Sequence, residues 1–459
     1  MKKIEKRTVL CLILAAALVA GLGVFCFKFV FQGGNWVSFA ANRHLYNSSG
    51  QLTVVRVLDR NGDVLSWAEE DGTRTYYDGG PNHRRAILHA VGDPAGRIGT
   101  GALVAFADKL SGYNLLTGTQ TLSGQDNDLT LTIDDELNYT AYMALNGRKG
   151  AVGVYNYRTG EVVCMVSSPT FDPLDPPTIE ESDSRYEGVY LNRFLSSTFT
   201  PGSVFKTVTL AAAIDHLDDL FARTWTCTGS TQVGDGVVTC PRAHGELDIQ
   251  GALTHSCNGV FALLAAELGA DTMTQYVQKA GLTSSYTVSG LSTAAGRYDV
   301  STASDYQLGW SGVGQYTDSV NPCAVMVYMG AIANGGRAAV PQLILSTRGA
   351  LGINISPYLR RSTGRLLDRD TADTIAQMMV RNVTDYYGSS RFPAVTVGAK
   401  SGTAEVGSDQ SPHAWFAGFV LDEDYPYAFA VLVENGGSGA DAAGSVAAAV
   451  LDALVNGTA

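Results

Sequence analysis

Two apolar strand-like segments in the middle of the chain and three near its end, separated by a long helix-rich stretch, decide the fold class. Gly150-Ala151-Val152-Gly153-Val154-Tyr155 and Glu161-Val162-Val163-Cys164-Met165-Val166 flank a turn at Arg158-Thr159-Gly160. Ala394–Thr403, Ala414–Val420 and Tyr427–Val433 are the later three. Short apolar runs bounded by Gly and polar clusters read as strands. Two early and three late predict a five-stranded antiparallel sheet whose faces are covered by helices, an α+β layout. Within the insertion, Ser203 to about Asp215 reads as an apolar helix, and Leu253–Leu268 as two helices joined by a turn. A small-residue helix from about Asp441 to Val455 closes the pattern.

The N-terminal end carries a different signal. Thr8–Phe27 has no charged residue over about twenty positions, enough to span a bilayer core. Lys2, Lys3, Lys6 and Arg7 precede it, so the N-terminus is expected in the cytoplasm and the bulk outside, as a single-pass protein of the cell membrane. Ser38-Phe39-Ala40 has the small-x-small look of a cleavage site, but the apolar run exceeds a usual signal-peptide core, which favours an uncleaved anchor. Phe25 before Cys26 argues against a lipoprotein. The remaining chain, within a total of 459 residues, is long enough for two or three domains. The expected partition is a cytoplasmic tail (1–7), an anchor (8–31), a small β-rich pedestal (32–148) and a catalytic domain (149–459). In the pedestal, Val54–Leu58 is a strand running into the turn Asp59-Arg60-Asn61-Gly62, and Asp134 caps a helix reaching about Leu145. The net charge of −12, with no basic block beyond the first residues, excludes nucleic acid as an expected partner.

Of the seven cysteines, Cys11 and Cys26 lie in the apolar run. The odd number outside it leaves at least one thiol free or paired between chains. Cys227 and Cys240 flank a short Gly-rich segment and are spaced to close a small disulfide. With His244 they also make three ligands of a zinc site, but no fourth is evident, and neither metal nor cofactor is assigned. Cys257 is expected to point into the core, and His255 and His413 to be structural.

The chemistry resides in three motifs that follow one another along the chain: Ser203-Val204-Phe205-Lys206, Ser256-Cys257-Asn258 and Lys400-Ser401-Gly402-Thr403. A serine hydroxyl needs a base within hydrogen-bond reach to act as a nucleophile. Three residues apart at a helix start, Ser203 and Lys206 share a face. Lys206 has apolar neighbours (Val204, Phe205, Val208 and Leu210), and burial near a second cation at Lys400 would lower its pKa. A competing Ser319-Val320-Asn321 runs straight into Pro322 and an apolar segment, and is read as a helix start.

Together these motifs resemble the signature of the penicillin-binding and serine β-lactamase families. Leu191-Asn192-Arg193, Pro201-Gly202-Ser203, Val313-Gly314-Gln315, Ile332-Ala333-Asn334-Gly335-Gly336 and His413-Ala414-Trp415-Phe416-Ala417-Gly418-Phe419 extend the likeness to class B, monofunctional penicillin-binding proteins. The short pedestal looks most like the small penicillin-binding protein A group. The resemblance implies a serine D-Ala-D-Ala transpeptidase that cross-links peptidoglycan stem peptides and is acylated by β-lactams. Ser203 would be the nucleophile, Lys206 its base, Ser256 a proton relay and Asn258 a clamp on Lys206 and the substrate amide. Lys400, Ser401 and Thr403 would receive the substrate carboxylate, with Gly402 keeping the strand clear for the substrate backbone. Backbone N–H groups of Ser203 and Thr403 would form the oxyanion hole. The implied partners are stem peptides and a membrane glycosyltransferase of cell-wall synthesis. A D,D-carboxypeptidase, a β-lactamase and a catalytically silent scaffold are the alternatives; no deacylating Glu is identifiable for the second, and the intact motifs weigh against the third.

Overall fold

The computed structural model describes residues 2–32, 55–69, 73–107, 127–180, 182–348, 360–407 and 410–457. The cleavage-like Ser38-Phe39-Ala40 lies outside them. Helix α1 (Lys2–Gln32) contains the apolar run, and its large side chains stand free, Leu18 being 75% and Val19 69% exposed. Among the described residues, no helix is long and apolar enough to cross a membrane.

The N-terminal sheet begins with β1 (Val55–Leu58), β2 (Val64–Ala68) and β3 (Arg74–Tyr76), continues through α2 (Pro81–Val91), and takes β4 (Asn127–Leu131) parallel to β1. Gly62, with φ of 98°, makes the β1–β2 turn possible. The buried Asp59 carboxylate holds that turn, accepting from the backbone N–H of Asn61 (2.8 Å) and Asp63 (2.9 Å). Arg60 reaches Glu161 at 3.3 Å, tying the turn to the second domain.

Two features cross the sequence-assigned boundary at 148. The edge strand of this first sheet is Ile344–Arg348, which returns from far along the chain to pair antiparallel with β4. Conversely, α3 (Asp135–Leu145), capped by the Asp134 side chain on the N–H of Leu137 (3.0 Å), packs Leu137, Ala141 and Leu145 onto the second sheet.

That second sheet is the expected one. Strands β5 (Gly150–Asn156) and β6 (Val162–Ser168) form one hairpin, and β7 (Val397–Ala404), β8 (His413–Val420) and β9 (Tyr427–Val433) complete the order β7-β8-β9-β5-β6, antiparallel throughout. Strand alternation divides the side chains between two cores. Val152, Val154, Phe416 and Val431 face α3 and the C-terminal helix (Gly444–Asn456); Ala151, Tyr155, Ala417 and Leu432 face the helical insertion. Both faces are dry, so the strands read as apolar runs without polar alternation.

The insertion is built from α4 (Lys206–His216), α5 (Asn258–Lys279), α6 (Pro322–Ala333) and α7 (Arg369–Asn382). Helix α6 is buried almost all round, as its uniformly apolar sequence requires. The Asn321 side chain caps it by accepting from Ala324 N–H (3.2 Å), which bears out the reading of Ser319-Val320-Asn321 as a helix start.

Candidate active site

Ser203 sits in a single 3-10 turn, Gly202–Phe205, that leads directly into α4, rather than in the α-helix itself. In a 3-10 turn positions i and i+3 eclipse, and this places the Lys206 amine 3.0 Å from Ser203 Oγ. Two glycines let three backbones meet here. Gly202 (φ 55°) lies where a Cβ would stand 2.7 Å from the Thr403 carbonyl oxygen, and Gly314 (φ 81°) where a Cβ would stand 2.1 Å from the Gly202 carbonyl oxygen. The Gly202 N–H donates to that same Gly314 carbonyl at 2.9 Å.

The second motif closes over Lys206 from the other side. Ser256 has φ of 56°, an uncommon conformation for a residue with a side chain. The turn it makes points three oxygens at the amine: Ser256 O at 2.6 Å, Ser256 Oγ at 3.1 Å and Asn258 Oδ1 at 2.7 Å. Asn258 is itself oriented by donating from Nδ2 to Thr239 O at 2.9 Å. Lys400 reaches the same hydroxyl, Ser256 Oγ, at 3.0 Å, and also Ser401 O at 2.9 Å. One serine hydroxyl thus bridges two lysines.

Both amines are fully buried. Burial pulls the Lys206 pKa down to about 7, partly opposed by the nearby Cys257 and Cys240 thiols. Lys400 is held well below the ordinary lysine range, first by burial and then by Lys206. Two ammonium groups sharing one hydroxyl in a dry site repel, so a neutral amine is accessible near neutral pH.

Strand β7 lies at the sheet edge and presents its residues alternately. Ser401 and Thr403 line a cleft of about 570 Å³ together with Ser203, Ser256 and Asn258. Lys400 and Gly402 lie on the opposite side of the strand, toward the Ser203 turn, where the Lys400 amine reaches the cleft hydroxyl of Ser256 at 3.0 Å and a Cβ on Gly402 would meet Pro201 O at 3.0 Å and Trp415 Cβ at 3.1 Å. The steric need for glycine there is the approach of the Ser203 turn, not the clearance for substrate expected from sequence. All eight sequence-assigned site residues therefore converge on one cleft or its immediate wall.

The sequence offered no sign of Tyr387. It ends a π-helical turn (Val383–Tyr387) after α7, accepts from Ser401 N–H at 2.9 Å and donates to Ser401 Oγ at 2.9 Å. Such turns often mark functional positions, but nothing in the residue pattern reveals one. Replacing Tyr387 by Phe leaves the half-buried N–H of Ser401 without this acceptor and is expected to destabilise the fold by about 1 kcal/mol, read as a lowered denaturation midpoint at unchanged denaturant slope. Trp415 is buried and donates from Nε1 to Thr200 O at 2.9 Å. His413 is structural in effect, its Nδ1 accepting from Asn435 N–H at 3.1 Å.

The penicillin-binding protein transpeptidase domain family matches residues 150–456. The chain belongs to that family. Among curated members of the family, the peptidoglycan D,D-transpeptidase PbpA of Mycobacterium tuberculosis is 30% identical over 328 residues, covering 67% of this chain and 66% of that protein. The peptidoglycan D,D-transpeptidase MrdA of Acinetobacter baumannii is 27% identical over 370 residues, covering 69% of this chain and 52% of its own. The chain thus spans somewhat under two thirds of the first relative and about half of the second. The crystal structure of penicillin-binding protein A from M. tuberculosis matches at a TM-score of 0.76 and 24% identity, covering 88% of this chain and 99% of that one. The same protein solved as a penicillin G acyl-enzyme also matches at 0.76, again at 24% identity and the same coverage. The penicillin-binding fold reaches beyond the matched catalytic segment into the N-terminal sheet.

Proposed function

We propose that this chain is a peptidoglycan D,D-transpeptidase that works through a Ser203 acyl-enzyme and is acylated at the same residue by β-lactams. The observation that carries the reading is the set of partners around Lys206 Nζ. A neutral amine has two N–H donors and one lone pair. Ser256 O and Asn258 Oδ1 can only accept, at 2.6 and 2.7 Å, so they take both protons. The lone pair is left for the two hydroxyls, Ser203 at 3.0 Å and Ser256 at 3.1 Å, the arrangement that a general base standing between nucleophile and relay needs.

The reaction then balances as follows. Ser203 Oγ attacks the carbonyl carbon of the penultimate D-Ala while its proton passes to Lys206. The N–H groups of Ser203 and Thr403 stabilise the oxyanion, a contribution of about 10² to 10³ in rate per donor. Collapse breaks the peptide bond, and the proton on Lys206 travels through Ser256 Oγ to the departing D-Ala nitrogen. An amine of a neighbouring stem next attacks the acyl-enzyme, returning the proton to Ser203 by the same route. The substrate carboxylate is received by Ser401, Thr403 and Lys400; an arriving anion restores the proton affinity that burial takes from Lys400. Strand β7 is at the sheet edge, with its outward Ser401 N–H already held by Tyr387, and offers an extended peptide a strand to lie along.

In this reading the full uncharged Thr8–Phe27 run of the sequence, longer than the stretch whose side chains are described, anchors the protein in the cell membrane, with the N-terminus in the cytoplasm and the catalytic cleft outside. The uncharged Thr8–Phe27 run, its exposed side chains and the preceding lysines support it. The chain then divides into tail, anchor, pedestal and catalytic domain near residues 7, 31 and 148, with Ile344–Arg348 lent to the pedestal sheet. A membrane glycosyltransferase supplying nascent glycan is the partner such an anchored cross-linking enzyme requires.

The test is intact-mass spectrometry of the detergent-solubilised chain after incubation with benzylpenicillin, followed by peptide mapping. A long-lived adduct on the peptide bearing Ser203 is expected, and an excess of an acyl-D-Ala-D-Ala peptide should slow its formation. An adduct that clears within seconds while hydrolysed drug accumulates would identify a β-lactamase instead. Folded protein with no adduct would overturn the enzymatic reading.

A further inference from the structure

Behind the Ser256-Cys257-Asn258 turn, three cysteines and a histidine from three separate segments converge. Cys227 ends the strand Trp225–Cys227, and His244 immediately precedes the strand Gly245–Leu247 paired with it. Cys240 follows the hairpin Ser230–Val233 and Gly236–Thr239, and Cys257 caps α5. Their ligand atoms all lie within 4.8 Å of one another. Cys227 and Cys257 are buried, and Cys240 and His244 form part of the cleft wall.

The spacing discriminates between the two ways such thiols are used. Cys240 Sγ and Cys257 Sγ are 3.8 Å apart, and Cys227 Sγ is 3.3 Å from His244 Nδ1. A disulfide brings sulfurs to about 2.05 Å. A tetrahedral zinc with bonds of about 2.3 Å to sulfur and 2.0–2.1 Å to nitrogen has S···S edges of about 3.8 Å and S···N edges of about 3.5 Å. The Cys240–Cys257 and Cys227–His244 separations match two edges of such a tetrahedron, and the other four pairs lie within 4.8 Å. Parity agrees: three neighbouring thiols cannot all be satisfied by disulfides among themselves, whereas a Cys₃His set uses every one. The fourth ligand that the sequence did not reveal is Cys257, 17 residues after Cys240 and inside a catalytic motif. The backbone already has the shape of a ligand cage, with His244 N–H donating to Cys227 O at 3.1 Å and Cys240 N–H to Gly229 O at 2.9 Å. The His255 ring stacks on His244, centroids 6.0 Å apart, and fixes its plane.

We infer that Cys227, Cys240, His244 and Cys257 form a structural zinc site that positions the Ser256-Cys257-Asn258 turn. Thiolates with one imidazole in tetrahedral array select zinc over the oxygen-seeking cations. Binding releases the thiol protons and clamps Cys257 to the hairpin that also holds Asn258 through Thr239 O. The residues on either side of Cys257 both contact Lys206. The zinc therefore sets the geometry of the base without touching substrate; this positioning role rests on the proposed function, while the site itself does not.

The experiment is elemental analysis of the full chain, purified in detergent without a metal-affinity tag. About one zinc per chain is expected, falling at least fivefold in Cys227→Ser and in His244→Ala. Replacement by Co²⁺ should give the intense visible bands of a tetrahedral thiolate site and a sulfur-to-metal charge-transfer band, both lost in the same variants. The half-buried His244→Ala guards against variants that fail to fold, and circular dichroism confirms that it does fold. Stripping zinc with a strong chelator should slow penicillin acylation at least tenfold, reversed by Zn²⁺ and not by Mg²⁺. Folded chain that holds less than a tenth of an equivalent of zinc and takes up none when it is supplied overturns the site. So does a mass two hydrogens lighter with a Cys227–Cys240 or Cys240–Cys257 bridge. Metal content and the cobalt spectrum are read without any turnover, so they stand apart from the fate of the transpeptidase assignment.

Discussion

Lys206→Met is expected to fold and to acylate about 10³-fold more slowly than the parent, within the 10² to 10⁴ that a positioned general base contributes. Methionine keeps the unbranched stem that fills the buried site beside Phe261, whose ring lies 5.7 Å from the amine. What disappears is the lone pair aimed at Ser203. The effect on stability should be small because two costs oppose. Losing the amine leaves Ser256 O and Asn258 Oδ1 without their donor, about 1–3 kcal/mol each. It also removes a fully buried ionisable group whose desolvation is unfavourable. Lys206→Arg separates base from charge: guanidinium keeps the cation but does not deprotonate at accessible pH. The two variants should therefore be comparably slow in a stopped-flow or mass-resolved acylation time course. An arginine variant within tenfold of the parent would show that Lys206 serves by its charge, and the base assignment would fall.

The five-stranded sheet was legible because its strands are apolar on both faces and bounded by turns, and each appears within a few residues of its expected limits. The site was legible for a related reason. Serine and lysine three apart at a helix start can only converge, and the second and third motifs add donors that have no other use together. What escaped is what depends on distant segments. Tyr387 reaches Ser401 through a π-helical turn that local periodicity does not encode. Ile344–Arg348 joins a sheet built from residues more than two hundred positions earlier, and no local pattern states which edge a lone strand will find. Cys257 reads as a core thiol because it lies in the middle of a catalytic motif, and nothing in the local sequence links it to Cys227, Cys240 and His244. Its partners are brought to it by the paired strands around 227 and 245 and by the start of α5. Gly402 illustrates the reverse error: the residue was correctly singled out, but the space it preserves is occupied by Pro201 and Val204 from the protein itself.

Acylation is expected to rise with pH through about 7 and then level off. Lys206 titrates at about 7 because burial disfavours its charged form, so below that pH the amine carries a third proton and has no lone pair for Ser203. The rate should follow the neutral fraction, approaching a tenfold fall per unit well below the pKa and dropping about 50-fold between pH 7 and pH 5. Stability moves in the same direction over a different window. In the unfolded chain the group has its ordinary pKa of 10.5, so between about 7 and 10.5 the unfolded state binds more protons and folding is favoured as pH rises. Below 7 both states are protonated and the full cost of a buried ammonium is present. The control is Lys206→Met, in which the pH slope of the residual acylation should vanish and the alkaline gain in stability should shrink by the Lys206 share, leaving that of Lys400. A parent profile flat from pH 5 to 9, with acylation intact, would mean that Ser203 gives up its proton to another group.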